Sequence, residues 1–99
     1  MIDAKEFSDY PITPWEEYYL RRGEKYRVKA SFVDADGAQH TTGEEWTFIG
    51  CKFSPFDNEY TLCVRIPSGE IKLLPLLADP QRQERYDVIK NFNKYVDHC

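Results

Sequence analysis

The sequence predicts a mainly β protein with helices (α+β), and three observations lead to this fold class. Four segments have the apolar patterns of strands, and turns rich in proline, glycine or asparagine separate most of them. Helix start signals occur on both sides of these strands. A chain of 99 residues suffices for one hydrophobic core but not for two. We expect a small SH3-like antiparallel barrel or a strongly twisted four-stranded meander, with a short N-terminal helix and a C-terminal helix.

The first residues are expected to carry little regular structure. Pro11 and Pro14 interrupt the backbone hydrogen-bonding pattern here, so regular structure should begin only at the second proline. Residues 1–13 are therefore predicted to be a loosely ordered arm, and residues 14–99 a single globular domain.

A short helix is predicted from residue 14 to residue 22. Thr13 and Glu16 have the three-residue spacing of a capping box, and Pro14 suits the first helical position because its missing N–H is not needed there. Gly23 can end the helix in a left-handed conformation.

Four strands should follow. The first shows a strict alternation of apolar and polar residues, which is typical of a half-buried strand. The second has large apolar residues on both sides, and Gly50 within it permits a bulge. A polar loop, 34–43, separates these two strands. The predicted strands are 25–32, 45–53, 60–66 and 70–77.

The register of the middle hairpin follows from matching its apolar faces. A four-residue turn, Pro55 to Asn58, places Ser54 opposite Glu59. Cys51 is then opposite Leu62, and Ile49 is opposite Val64. Cys63 then lies on the other face of the sheet from Cys51, which disfavours a disulfide between them. With Cys99 the chain has an odd number of cysteines, which is typical of reduced thiols.

A long C-terminal helix is predicted to cover the sheet. Asp79 has the chemistry of an N-cap and Pro80 that of a first helical residue. Between there and Val96, five apolar side chains fall on one stripe of a helical wheel.

Composition and charge exclude several classes of protein. A net charge of −4 disfavours general binding to nucleic acids or anionic membranes. The N-terminus lacks the pattern of a signal peptide, and no run approaches the roughly 20 apolar residues that span a bilayer. We expect a cytoplasmic protein with no cofactor.

The polar loop invites a metal hypothesis that its spacing does not support. It contains Asp34, Asp36 and His40, and Glu44 follows it directly. We aligned the sequence through Gly37 with a calcium loop of the EF-hand type. The residues at both outer ligand positions then have no side chain that can bind the ion. The prediction is turn chemistry and no metal. No catalytic residue is predicted, because no nucleophile and base have a specific spacing.

Acidic and aromatic residues are the candidates for contact with a partner. One acidic group lies at the start of the second strand and a second, Asp57 and Glu59, at its far end, so we expect the two groups to lie too far apart for one compact site. Aromatic residues on the first helix are common anchors of interfaces. The predicted partner-binding residues are Asp34, Asp36, Glu44, Glu45, Trp15, Tyr18 and Tyr19.

From Phe32 onward the sequence resembles a family of small bacterial proteins known only as a domain of unknown function. The resemblance covers residues 20 to 97. Its middle part has the pattern F-x-D-x-D-G-x-x-H-x-x-G-E-x-W-x-F-x-G-x-x-F-x-P, from Phe32 to Pro55, and a weaker echo follows at Asn91, Phe92 and Tyr95. The resemblance implies a compact bacterial domain and supplies no catalytic residue.

These observations favour a non-enzymatic protein that binds another protein. Within that class we expect an immunity protein, a small acidic antitoxin for a basic toxin domain, because a negative field suits a basic partner. One alternative is a small regulator or adaptor that binds a peptide or nucleic acid through Arg27 and Lys29. The other is a metal-assisted enzyme built on the 34–44 loop.

Overall fold

A computed structural model describes residues 2–99 and places five antiparallel strands in one sheet. The order across the sheet is β6-β5-β4-β1-β7, and β2 and β3 form a separate hairpin. The strands are β1 Lys25–Val28, β2 Phe32–Val33, β3 Gln39–His40, β4 Glu45–Ser54, β5 Glu59–Arg65, β6 Ile71–Leu77 and β7 Val96–His98. The helices are α1 Ala4–Ser8, α2 Pro14–Tyr19 and α3 Gln83–Lys90, with a 3-10 turn at Phe92–Lys94.

The sheet is open. Strands β6 and β7 are its two edges and do not pair with each other, so the expected SH3-like barrel is not found. The coarser prediction, a mainly β protein with helices, is confirmed. The neighbouring strands β1, β4, β5 and β6 follow the order of the predicted meander, and β7 adds a fifth strand outside β1.

The β4–β5 hairpin has the predicted register from its turn as far as Cys51. Ser54 is opposite Glu59 and Cys51 is opposite Leu62. A bulge at residue 49, beside Gly50, shifts the pairing, so Phe48 rather than Ile49 is opposite Val64. Cys51 and Cys63 are free and lie on opposite faces of the sheet.

The first predicted strand and the polar loop both differ from expectation. The strand ends at Val28 instead of Phe32, because the N–H groups of Lys29 and Ala30 both turn to the carbonyl of Tyr95. The chain then forms the β2–β3 hairpin, in which Phe32 is opposite His40. The segment predicted as a polar loop therefore contains a strand.

Regular structure begins before the second proline, which corrects the prediction of a loosely ordered arm. Helix α1 is capped by Asp3, and its Phe7 is buried. A Cβ placed on Gly50 would lie 2.4 Å from the carbonyl oxygen of Phe7. Glycine at this position therefore lets α1 pack directly on the sheet.

Helix α2 starts as predicted and ends early. The Thr13 hydroxyl accepts the N–H of Glu16, as the capping pattern requires. The helix ends at Tyr19 because Leu20 is extended. Gly23 does have a positive φ of 87°, but its N–H donates to the carbonyl of Phe48 rather than to a helix carbonyl.

The prediction of one helix from Pro80 to Val96, capped by Asp79, is wrong. Asp79 forms a local turn by accepting the N–H of Gln81, and α3 begins only at Gln83. Asn91 leaves the helical conformation at φ −129° and ψ 45°. Beyond the 3-10 turn the chain becomes extended, and Val96 pairs with Val28 in the sheet.

Two layers cover the two faces of the sheet. The main core lies on one face, where α3, the 3-10 turn and the aromatic side of α2 pack. Phe7 and Cys63 are buried outside this core, on the opposite face with α1. Among residues 2–99, no helix is long and apolar enough to cross a membrane.

Candidate binding site

A cavity of about 550 Å³ opens between the β2–β3 hairpin and strands β5 and β6. This volume is within the range of known ligand sites. Its apolar lining consists of Ala38, Trp46, Val64, Ile66, Pro67, Leu73 and Leu74. Three of these side chains, Trp46, Val64 and Leu74, also belong to the main core. The cavity therefore borders the core directly, at a place where no other element covers it.

Asp34 lies at the polar side of the cavity and is only 3% exposed. Its Oδ1 accepts the N–H groups of Asp36 at 2.9 Å and Ala38 at 3.0 Å. Its Oδ2 is 2.7 Å from Nε2 of His40. A buried carboxylate needs such donors, and here they hold the tip of the hairpin in shape.

His40 lies between two carboxylates. Its Nδ1 is 2.8 Å from Oε2 of Glu44, and its ring stacks on Phe32 with centroids 4.9 Å apart. Donating to both carboxylates at once requires the imidazolium form. In this arrangement the ring has no free nitrogen to act as a base or to bind a metal. Within residues 2–99 no three histidine, cysteine or acidic side chains are placed to hold a metal ion.

Glu45 also lines the cavity but is held by two cations. Arg27 donates to its Oε2 at 2.8 Å through Nε, and Lys25 lies 3.5 Å from Oε1. The hydrogen bond from Arg27 is the main reason why the pKa of Glu45 is lowered. Lys29 likewise pairs with Asp97 at 2.9 Å. Lys25, Arg27 and Lys29 thus each have a carboxylate partner within the chain, and Lys25 and Arg27 share theirs.

The fourth predicted acid, Asp36, lies away from the cavity in a different acidic group. The preceding residue, Ala35, donates its N–H to the carbonyl of Pro75 on β6 at 2.8 Å. This contact brings the tip of the β2–β3 hairpin towards the start of β5, where Glu59 lies. Burial raises the pKa of Glu59, and Asp36 and Asp57 raise it further. The expectation that the two acidic groups stay apart is therefore wrong for Asp36, whereas Glu44 and Glu45 stay with His40 and Arg27.

An exposed aromatic side chain completes this surface. Phe56 lies in the β4–β5 turn beside Asp57 and is 97% exposed. Sequence reasoning missed it, although a phenylalanine inside a tight turn between two strands has no core within reach. We call the surface formed by Asp36, Phe56, Asp57 and Glu59 the acidic tip.

The three aromatic candidates lie elsewhere, on α2. The indole N–H of Trp15 donates to the backbone carbonyl of Ile89 at 2.8 Å. The hydroxyl of Tyr19 donates to the backbone carbonyl of Lys90 at 2.8 Å. Both rings therefore tie α2 to α3. Tyr18 is 78% exposed. None of the three lines the cavity.

No known family model matches the sequence, and no curated protein matches it significantly. One similar solved structure is an integron cassette protein from the mobile metagenome of Vibrio cholerae. It has a TM-score of 0.80 and 20% sequence identity, and the match covers 100% of each chain. The likeness is one of fold. The resemblance to the bacterial family of unknown function stays a prediction.

Proposed function

We propose that this chain is a non-enzymatic domain that binds another protein, and that the acidic tip makes the contact. The observation that carries the proposal is a difference among the acidic residues. Asp36 and Glu59 form no ion pair within residues 2–99, and Asp57 accepts only the hydroxyl of Ser54 there. The fold gathers three carboxylates from two hairpins and leaves them without a cation.

Such a surface suits a partner with basic residues. Like charges held close together oppose folding, and a cationic partner relieves this repulsion while it also speeds encounter. Phe56 supplies the apolar component, because exposed aromatic side chains next to polar residues are frequent anchors of interfaces. We therefore favour an immunity protein of the bacterial cytoplasm that neutralises a basic toxin domain.

The experiment compares partner capture by three forms of the tagged full chain from a lysate of the cell that encodes it. One form is wild type. The second carries Asp36→Asn, Asp57→Asn and Glu59→Gln. The third carries the same charge change at exposed positions elsewhere, Asp9→Asn, Glu17→Gln and Glu84→Gln.

We expect wild type and the third form to retain one basic protein at about 0.15 M salt and the second form to lose it. Co-expression of the captured protein should then arrest growth, and this chain should restore it. Equal capture by all three forms contradicts the proposal, as does capture of nucleic acid alone.

The two alternatives have less support. A regulator that binds phosphate through Arg27 and Lys29 would first have to break their ion pairs with Glu45 and Asp97. A metal-assisted enzyme would have to detach His40 from a carboxylate. Melting temperatures raised by Ca²⁺, Mg²⁺, Mn²⁺ or Zn²⁺ would favour the enzyme.

A further inference from the structure

Strand β6 has one paired edge and one free edge, and the hydrogen bonds around it show which residues face outward. The Ala78 N–H donates to Asn58, and the Ile66 N–H donates to Glu70, so the even-numbered residues of β6 face β5. Pro75 accepts from Ala35 on the other side of the strand. The odd-numbered residues of β6 therefore point their backbone groups away from the sheet.

Only part of this free edge is covered. Ala35 occupies the carbonyl of Pro75, and proline has no N–H to offer. On the N-terminal side of Pro75, the backbone N–H and C=O groups of Ile71 and Leu73 have no partner within residues 2–99. Leu73 is also 42% exposed. An uncovered edge of this kind is a template for another strand.

The free edge adjoins the cavity. Lys72, Leu73 and Leu74 line the cavity on the β6 side, and Asp34, Ala38 and His40 line it on the hairpin side. A strand added outside β6 directs every second side chain to the core face of the sheet, because neighbouring residues on adjacent strands share a face. Those side chains would enter the cavity above Trp46 and Val64.

We infer that an extended peptide segment of a protein partner pairs with Ile71 and Leu73 of β6 and places its alternate, apolar side chains in the cavity. This inference names how the partner is held and rests on the proposed function. The segment carries a lysine or arginine at the end nearest Pro75. That end meets the acidic tip, because Asp36 directly follows the Ala35 that is bonded to Pro75.

A strand fits this site better than a compact small molecule does. The unpaired N–H and C=O groups of Ile71 and Leu73 are spaced along the strand, as in the ladder of a sheet. The cavity offers mostly apolar walls beside them, so main-chain bonds supply affinity and the cavity selects side chains.

The experiment selects displayed random peptides of about six residues, the length of a short strand, on the immobilised full chain. The enriched sequences should alternate apolar and polar residues, with a basic residue at one end. At a concentration of about ten times Kd, a selected peptide should slow hydrogen exchange of the Ile71 and Leu73 amides about tenfold.

Three variants locate the bound peptide. Leu73→Pro removes an N–H that points away from the sheet, on the same side of β6 where Pro75 already lacks one. Ala38→Trp fills the cavity from an exposed position. Each should weaken binding of the selected peptide about tenfold or more. Gln39→Trp is the matched control, because Gln39 is exposed and does not line the cavity.

Three results overturn the inference. The selection enriches no peptide, the enriched peptides have apolar residues at helical spacing, or Leu73→Pro and Ala38→Trp leave peptide binding unchanged. Protection of Ile71 and Leu73 that rises with protein concentration and without peptide also overturns it, because a second copy then covers the edge. If capture of the partner needs the acidic tip but tolerates both variants, the proposed function holds and the strand pairing fails. If Leu73→Pro and Ala38→Trp both lose the peptide but the acidic-tip variant still captures the partner, the strand pairing holds and the role of the acidic tip fails.

Discussion

Two groups of acidic residues lie around the β2–β3 hairpin, and they differ in how their charge is satisfied. In the first, Asp34 and Glu44 both bond to His40, and Asp34 also accepts two backbone N–H groups. In the second, the acidic tip, the carboxylates have no cation within residues 2–99. Burial raises the pKa of Glu59 there, and Asp36 and Asp57 raise it further. Carboxylates of the first kind hold the fold, and those of the second kind remain available to a partner.

The largest expected effect comes from removing the centre of the first group. Asp34→Ala leaves two backbone N–H groups and Nε2 of His40 without their acceptor, so it should lower the free energy of unfolding by about 3 kcal/mol. Urea denaturation measures this value. Asp36→Ala, only two residues away but exposed, should change it by no more than about 0.5 kcal/mol. Similar losses in the free energy of unfolding for both variants would show that the two groups of acidic residues do not differ in their contribution to stability.

A smaller effect is expected at the histidine. His40→Ala removes two charge-assisted hydrogen bonds and the stacking on Phe32, and it leaves two carboxylates facing each other. We expect a loss of about 2 kcal/mol in the free energy of unfolding. Gln39→Ala, at the adjacent exposed position, serves as the control. A His40 variant as stable as the control would show that the two carboxylates do not need the ring.

The smallest effect is expected at the acidic tip, and it has the opposite sign. Glu59 has a raised pKa, so the folded state binds this proton more tightly and the ionised form costs stability above the folded pKa. Glu59→Gln should raise the free energy of unfolding at pH 7 by roughly 0.5 kcal/mol or less.

The pH dependence of this gain is its check. The gain should disappear as the pH falls below about 4.3, the ordinary value for glutamate, because the carboxyl group of the wild type is then neutral in both states. Urea denaturation at pH 7 and at acid pH gives both values, and Glu84→Gln is the matched control. A loss of stability at pH 7 would mean that Glu59 has a favourable partner.

The sequence predicts local features of the fold well. The register of the β4–β5 hairpin follows from its turn length and its apolar faces, and the bulge beside Gly50 follows from the glycine. Thr13 caps α2 as its spacing predicts. In each case the residues that decide the structure are close together in the chain, so a short pattern is sufficient.

The C-terminal segment shows where this reasoning fails. Val88, Ile89, Phe92 and Val96 are all buried, as the helical stripe requires. Periodicity reports burial, however, and not the hydrogen-bond partner of the backbone. Val96 is buried because it pairs with Val28 on the edge of β1, and β1 is about 70 residues away in the sequence. Only the assembled sheet contains this information.

The same limit applies to the candidate site. The sequence selects Asp34, Asp36, Glu44 and Glu45 together because they are neighbours in the chain. The structure instead places Asp34 and Glu44 on His40, Glu45 on Arg27, and Asp36 at the acidic tip. The cavity and the free edge of β6 depend on where the hairpin meets Pro75, which is a long-range contact.

The two buried thiols lie on opposite faces of the sheet, and each can therefore report on the opening of one layer. Cys63 is opposite Gly50, on the face that α1 covers, whereas Cys51 lies in the main core. Burial raises the pKa of both thiols. A thiol reagent should therefore modify Cys63 each time α1 detaches and Cys51 only when the core opens. Two labelling rates in one chain would then separate local detachment of α1 from global unfolding.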